Sequence, residues 1–85
     1  MLSKKAKYAL RALCVLALAQ PGKVAARKLA KDADVPEKFL ETILVELRNA
    51  GLAASLRVAG GGHTLARPAD EIIVGDIVRA IDGPI

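Results

Sequence analysis

Aromatic residues are nearly missing: one Tyr, one Phe and no Trp in 85 residues, although 53% of the chain is apolar. A core without large rings has to be built from Leu, Ile, Val and Ala on closely packed helices. Cysteine occurs once, as Cys14, so no intramolecular disulfide can form, which fits a reducing compartment. Cys14 lies within an apolar stretch and reads as a small core residue. One His and one Cys cannot assemble a zinc site, and no acidic cluster has the spacing of a metal loop. Asp32 with Asp34, and Glu37 with Glu41, read as solvated or helix-turn carboxylates, not as an acid/base pair. No catalytic constellation is present, so enzymatic activity is not expected. Long apolar runs are absent as well. Ala12 to Ala19 is far too short to span a bilayer. MLSKKAK followed by that run imitates a signal peptide, but Arg11 interrupts the apolar stretch. A buried helix, neither a leader nor a membrane span, is the expectation.

Acidic residues are missing from the first third. Residues 1–31 hold eight Lys or Arg and no Asp or Glu (+8), while residues 32–85 hold five basic and nine acidic residues (−4), together the net +4. A basic first third on an acidic remainder points to a polyanion or an anionic membrane surface on one side. The length allows one domain, residues 1–85, with one modest core whose marginal stability leaves room for a partner subunit.

The clearest pattern lies in VPEKFLETILVELRNAG, from Val35 to Gly51. Leu40, Ile43, Leu44 and Leu47 fall at i, i+3, i+4 and i+7, one buried helical face. Pro36 suits a first-turn position and Gly51 the left-handed residue after the last turn. Glu37 and Arg48 sit at the ends the helix dipole favours. Ser3 is placed to cap an earlier helix running to about Ala19, with Ala6, Ala9, Leu10, Leu13 and Ala17 as its core face. Lys4, Lys7 and Arg11 form another stripe that continues into Val15 and Leu18. Those two meet either a partner or the domain's own later segments. A short helix from Ala26 to Ala33 turns Leu29, Ala30 and Ala33 inward, and Asp32, Asp34 and Val35 form the turn into the next helix. Leu52, Ala54, Leu56 and Val58 alternate with Ala53, Ser55 and Arg57, a strand period. Ala59 to Gly62 is a tip, and His63 to Arg67 returns as a second strand anchored by Leu65. Ile72 and Ile73 suggest a short third strand. A last helix over about Gly75 to Asp82 buries Ile77, Ala80 and Ile81. Helix, turn, helix, hairpin: the expected fold is mainly α with a small β-hairpin wing, a winged helix-turn-helix.

Basic groups gather on one face of such a fold: Lys4, Lys5, Lys7 and Arg11, then Arg27 and Lys28, Lys38 and Arg48, and Arg57 and Arg67. Phosphates need only positive or N–H donors at the correct height, whereas base reading needs side chains projecting into a groove. Lys38, Glu41 and Thr42 occupy the first turns of the second helix of the motif, where side chains reach base edges. Lys prefers guanine acceptors, Glu accepts from cytosine N4, and Thr bonds or touches a thymine methyl. Gly60, Gly61 and Gly62 resemble a phosphate cradle, but no Lys-Ser/Thr follows, so a hairpin tip is the better reading. Such a tip either lies close to a nucleic-acid backbone or is a plain loop.

The segments LSKKAKYALRAL, KFLETILVELRNAGL and GGGHTLARPADEIIVGDIVRAIDGPI together resemble the DNA-binding domain of the Rrf2 family of bacterial transcription regulators. The resemblance implies a dimeric winged helix-turn-helix protein of the bacterial cytoplasm, usually a repressor. It implies that Tyr8 and Arg11 lie near phosphates, that Lys38, Glu41 and Thr42 face the major groove, and that Arg57 with Gly60, Gly61 and Gly62 approaches the minor groove; His63, which follows the tip, is counted with the DNA-binding residues. Two departures stand out. Phe39-Leu40-Glu41-Thr42 replaces the common Tyr-Leu-Glu-Gln, and Arg57-Val58-Ala59-Gly60-Gly61-Gly62-His63 replaces the common Arg-Gly-Pro-Gly-Gly-Gly-Tyr. Family members continue into a long dimerisation helix, often with three cysteines for an iron–sulfur cluster. This sequence stops at Ile85, as either a fragment or a short member. No cofactor is therefore expected within these residues, and homodimerisation is expected to be weak. Double-stranded DNA is the expected partner. The competing reading is a winged-helix protein-interaction module, with Val15, Leu18 and Val45 as its contacts.

Overall fold

Ser3 opens the first helix as its position suggests: its Oγ accepts from the Ala6 N–H at 3.0 Å and donates to the Asp82 carboxylate at 2.8 Å. The computed structural model describes residues 2–56 and 61–83. In chain order they form α1 (Lys4–Ala19), α2 (Ala26–Ala33), α3 (Glu37–Asn49), β1 (Ala53–Leu56), β2 (Gly62–Leu65), a 3₁₀ turn (Ala69–Glu71) and α4 (Val74–Asp82). This is the winged helix-turn-helix that the sequence predicts. α1 is the central element and touches α2, α3, α4 and β2. Its neighbours bury Leu16, Leu29, Leu40, Ile43, Leu47 and Leu52 completely, so aliphatic side chains alone close the core.

The helix-turn-helix joint is made by backbone bonds. The Val35 N–H donates to the Ala30 carbonyl at 2.9 Å and the Asp34 N–H to Lys31 at 3.2 Å. This paired closure requires a left-handed residue, and Asp34 supplies it at φ 55°. Asp32 belongs to α2 and not to the turn, pairing with Lys28 one turn back at 2.8 Å. α3 ends by the same device: the Leu52 N–H donates to Leu47 at 2.9 Å, the Gly51 N–H to Arg48 at 3.0 Å, and Gly51 has φ 76°. Pro36 caps α3 from the position before its first turn. Its missing N–H costs no intrahelical bond there.

Four further expectations are corrected. Cys14 is exposed. From Ala12 to Ala19, α1 is apolar all round, so composition does not mark its buried face there. The buried residues are Ala6, Ala9, Ala12, Leu13 and Leu16, while Leu10 and Ala17 are only half-buried. In the hairpin, Ala53 pairs with Leu65 and both are buried, whereas Leu56 is exposed. Leu52 belongs to the exit of α3, so counting strand alternation from it reverses the faces. The part of the strand beyond Leu56 that the sequence suggests, Arg57 and Val58, lies outside the described residues, as do Ala59 and Gly60. Finally, Ile72 and Ile73 form no third strand. The place beside β2 is taken by Val24, which exchanges two backbone bonds with His63 at 2.8 and 2.9 Å. Pro68 starts the 3₁₀ turn instead, and the extended Ile72 and Ile73 lead into α4.

Candidate nucleic-acid interface

Lys4, Tyr8 and Arg11 stand at i, i+4 and i+7 on α1, one stripe of the helix. The Lys4 ammonium lies 5.8 Å and the Arg11 guanidinium 5.0 Å from the Tyr8 ring centroid, both within reach of its negative face. Lys7 is exposed beside them. Arg11 also donates from Nη2 to the Asp34 carbonyl at 2.8 Å, which ties α1 to the joint of the helix-turn-helix. A second tie sets α3 against α1: Lys5 Nζ meets Glu46 Oε1 at 2.7 Å. The other carboxylate oxygen of Glu46 is enclosed with no hydrogen-bond partner among the described residues. The angle of α3 to α1 therefore depends on two polar links as well as on packing.

α3 leaves Lys38, Glu41, Thr42, Val45, Arg48 and Asn49 exposed, opposite the face that buries Leu40, Ile43, Leu44 and Leu47. Phe39 is 59% exposed in its first turn. Its ring lies 6.3 Å from that of Tyr8, tilted by 44°. Lys4, Lys5, Tyr8, Phe39 and Thr42 line one open concavity of about 410 Å³ between α1 and α3. Phe39 is not among the site residues that the sequence suggests, where it stands only as the replacement of a common Tyr. The signal is nevertheless present, since Phe39 is off the Leu40–Leu47 face and three residues before Thr42.

The remaining candidates are placed elsewhere. Arg27 and Lys28 are exposed on α2 beside Lys31, lining a second concavity that shares no residue with the first. Arg48 is at the far end of α3, about 13.5 Å along the axis from Phe39. It is near His63, whose imidazole is held below its ordinary value, first by burial and then by the Arg48 charge. His63 is half-buried, with Nδ1 enclosed and without a hydrogen-bond partner among the described residues, so its side chain is turned toward the domain and not outward as a tip residue. Gly62 has φ 153°, and a Cβ there would lie 3.2 Å from both the Lys23 side chain and the Val24 carbonyl. Glycine thus lets the hairpin close onto the segment before α2. Gly61 is half-buried at the near side of the tip, and Arg57 and Gly60 lie outside the described residues. Among the described residues no group of three or more His, Cys, Asp or Glu is arranged to hold a metal. No helix among them is long and apolar enough to cross a membrane.

A basic stripe, a helix-turn-helix and a wing describe many proteins, but the match of the whole chain is narrower. The Rrf2 family model, described as an iron-dependent transcriptional regulator, matches residues 2–85. The chain belongs to the Rrf2 family. A putative HTH-type transcriptional regulator of Mycobacterium tuberculosis is 45% identical over 85 residues, covering 99% of this chain and 53% of that protein. An rrf2-like putative regulator of Rhodobacter capsulatus is 39% identical over 89 residues, covering 100% of this chain and 59% of that protein. The structure of CymR, the global cysteine regulator of B. subtilis, superposes with a TM-score of 0.89 at 37% identity, over 100% of this chain and 67% of that one. This Rrf2 chain thus spans little more than half the length of the curated relatives it matches.

Proposed function

We propose that this chain is the DNA-binding part of an Rrf2-type transcriptional regulator acting in the bacterial cytoplasm, as a repressor that occupies its operator. The observation carrying this reading is the shared concave surface on which the cationic stripe of α1 flanks the exposed polar face of α3. Lys4 and Lys7, with Tyr8, take phosphate contacts that position the protein. Arg11 has a double part: one N–H holds the Asp34 carbonyl, and the exposed guanidinium keeps further donors for a phosphate. Lys38, Glu41 and Thr42 enter the major groove from the first turns of α3. Arg27 and Lys28 add phosphate contacts from α2. Arg48, Arg57, Gly60, Gly61, Gly62 and His63 form the flank that approaches the adjacent groove. Of these, the half-buried His63 contributes through its place in the hairpin. The reading includes no catalytic step and no cofactor held by these residues, and it pairs two copies on a palindromic operator.

A gel shift against DNA upstream of its own operon, with and without unlabelled competitor, tests the assignment. A complex that survives excess random DNA and yields to the same sequence supports it. If all binding is lost to random competitor, the protein-interaction reading, with exposed Leu18 and Val45 as contacts, gains instead.

A further inference from the structure

We propose that Phe39 reads the C5-methyl of a pyrimidine in the major groove, which is thymine in unmodified DNA, and so determines specificity at one base pair. The inference rests on the DNA-binding reading above and deepens it.

Phe39 stands outside the buried cluster, 59% exposed as a residue, at the wall of a concavity otherwise lined by Lys4, Lys5, Tyr8 and Thr42. A phenyl ring has neither donor nor acceptor. On a surface that closes over a polyanion it gains nothing from phosphate, whose burial against an apolar group is costly. Along the major-groove edge, the apolar feature that bases display is the thymine methyl, and Phe is among the side chains suited to it. Placement agrees with chemistry. Phe39 precedes Thr42 by three residues, about 4.5 Å along the helix axis. The step between base pairs is about 3.4 Å. If Thr42 addresses one base pair, Phe39 therefore addresses its neighbour.

The ring is also held in place. Tyr8 packs against it at 6.3 Å, and Tyr8 is itself under Lys4 and Arg11, which is anchored on Asp34. A ring braced through α1 loses little freedom on docking, so a contact with a single methyl survives as a difference in affinity.

The test uses the 85-residue chain and a site selected from random synthetic duplexes, which contain no 5-methylcytosine. Each thymine is then replaced singly by uracil, which removes only the methyl. At one position per half-site the unmodified protein should lose about fourfold in affinity, equivalent to roughly 0.8 kcal/mol for one methyl-sized group. Phe39→Ala should bind the thymine and uracil duplexes equally there, and Phe39→Leu should keep part of the difference. Circular dichroism and melting confirm that both variants fold; if Phe39→Ala does not, Phe39→Leu decides by a reduced difference. The proposal is overturned if no uracil position weakens binding to the selected site, or if the full difference persists in the variants, and DNA recognition itself then still stands. Failure to select any site would instead sink the DNA-binding reading, and this inference with it.

Discussion

Asp34 carries the joint between α2 and α3 in a left-handed conformation, and its carbonyl receives Arg11. Aspartate tolerates that region better than most residues, and a β-branched side chain tolerates it badly. Asp34→Val should cost about 1–2 kcal/mol of stability, whereas Asp34→Gly should be neutral or stabilising. Urea denaturation of the two variants checks this. Equal behaviour would mean that the turn adjusts without strain. His63 gives a second prediction at this scale. Because burial and Arg48 lower its proton affinity in the folded protein, the unfolded chain binds the proton more readily. The corresponding stability is fully present above the unfolded value of about 6.5 and falls as pH drops below it. The loss is complete once pH is below the lowered folded value. Denaturation midpoints compared at about pH 7.5 and about pH 5 should fall less in His63→Gln than in the unmodified chain. Identical falls would place the acid sensitivity on other groups.

At the scale of the element, α1 joins two tasks that many folds separate. Its buried side, from Ala6 to Leu16, is the centre of the core, and its exposed first half is a cationic rail. Small Ala6, Ala9 and Ala12 let α2, α3 and α4 approach it closely, so the rail is rigidly related to α3. Observed DNA affinity should fall with salt at a log–log slope of about −0.9 per phosphate contacted. Replacing Lys4, Lys7 and Arg11 together with Gln should flatten that slope and weaken binding to all sequences alike. Arg11 also holds the Asp34 carbonyl, so Lys4→Gln/Lys7→Gln is the cleaner control. An unaltered slope in both proteins would turn α1 away from the phosphates.

For the whole molecule, the arrangement places α3, the helix proposed to read the groove, and one wing on a single small body. A single half-site offers limited surface, whereas two copies on a palindrome raise each other's effective concentration. The large apolar side chains exposed among the described residues are Leu18, Phe39, Val45, Leu56, Ile73 and Val74, against the roughly 20–30 residues a side that a stable interface takes. The 85 residues should therefore sediment as monomer or weak dimer at micromolar concentration. A tight dimer would overturn that expectation and make Leu18 the first residue to mutate.

Local signals, helical spacing together with capping residues, determined the helices of this protein. Ser3 marked the start of α1, Leu29, Ala30 and Ala33 marked the inner side of α2, and the Leu40–Leu47 spacing with Gly51 bounded α3. The family motifs likewise marked the chain as an Rrf2 member before any packing was known. Local pattern failed where neighbours decide burial. In the second half of α1 every side is apolar, so only the positions of the neighbouring elements could leave Cys14 and Leu18 outside while burying Ala12 and Leu16. The faces of β1 depended on the register with β2, and the extended Ile72 and Ile73 lacked a strand beside them because Val24 holds the other edge of β2. The same limit applied to the site. Basic residues could be counted along the chain, but the meeting of Tyr8 with Phe39 and the reach of Arg11 to Asp34 join residues 31 and 23 positions apart. Contacts at that separation exist only once helix angles are set, and those angles come from the whole core.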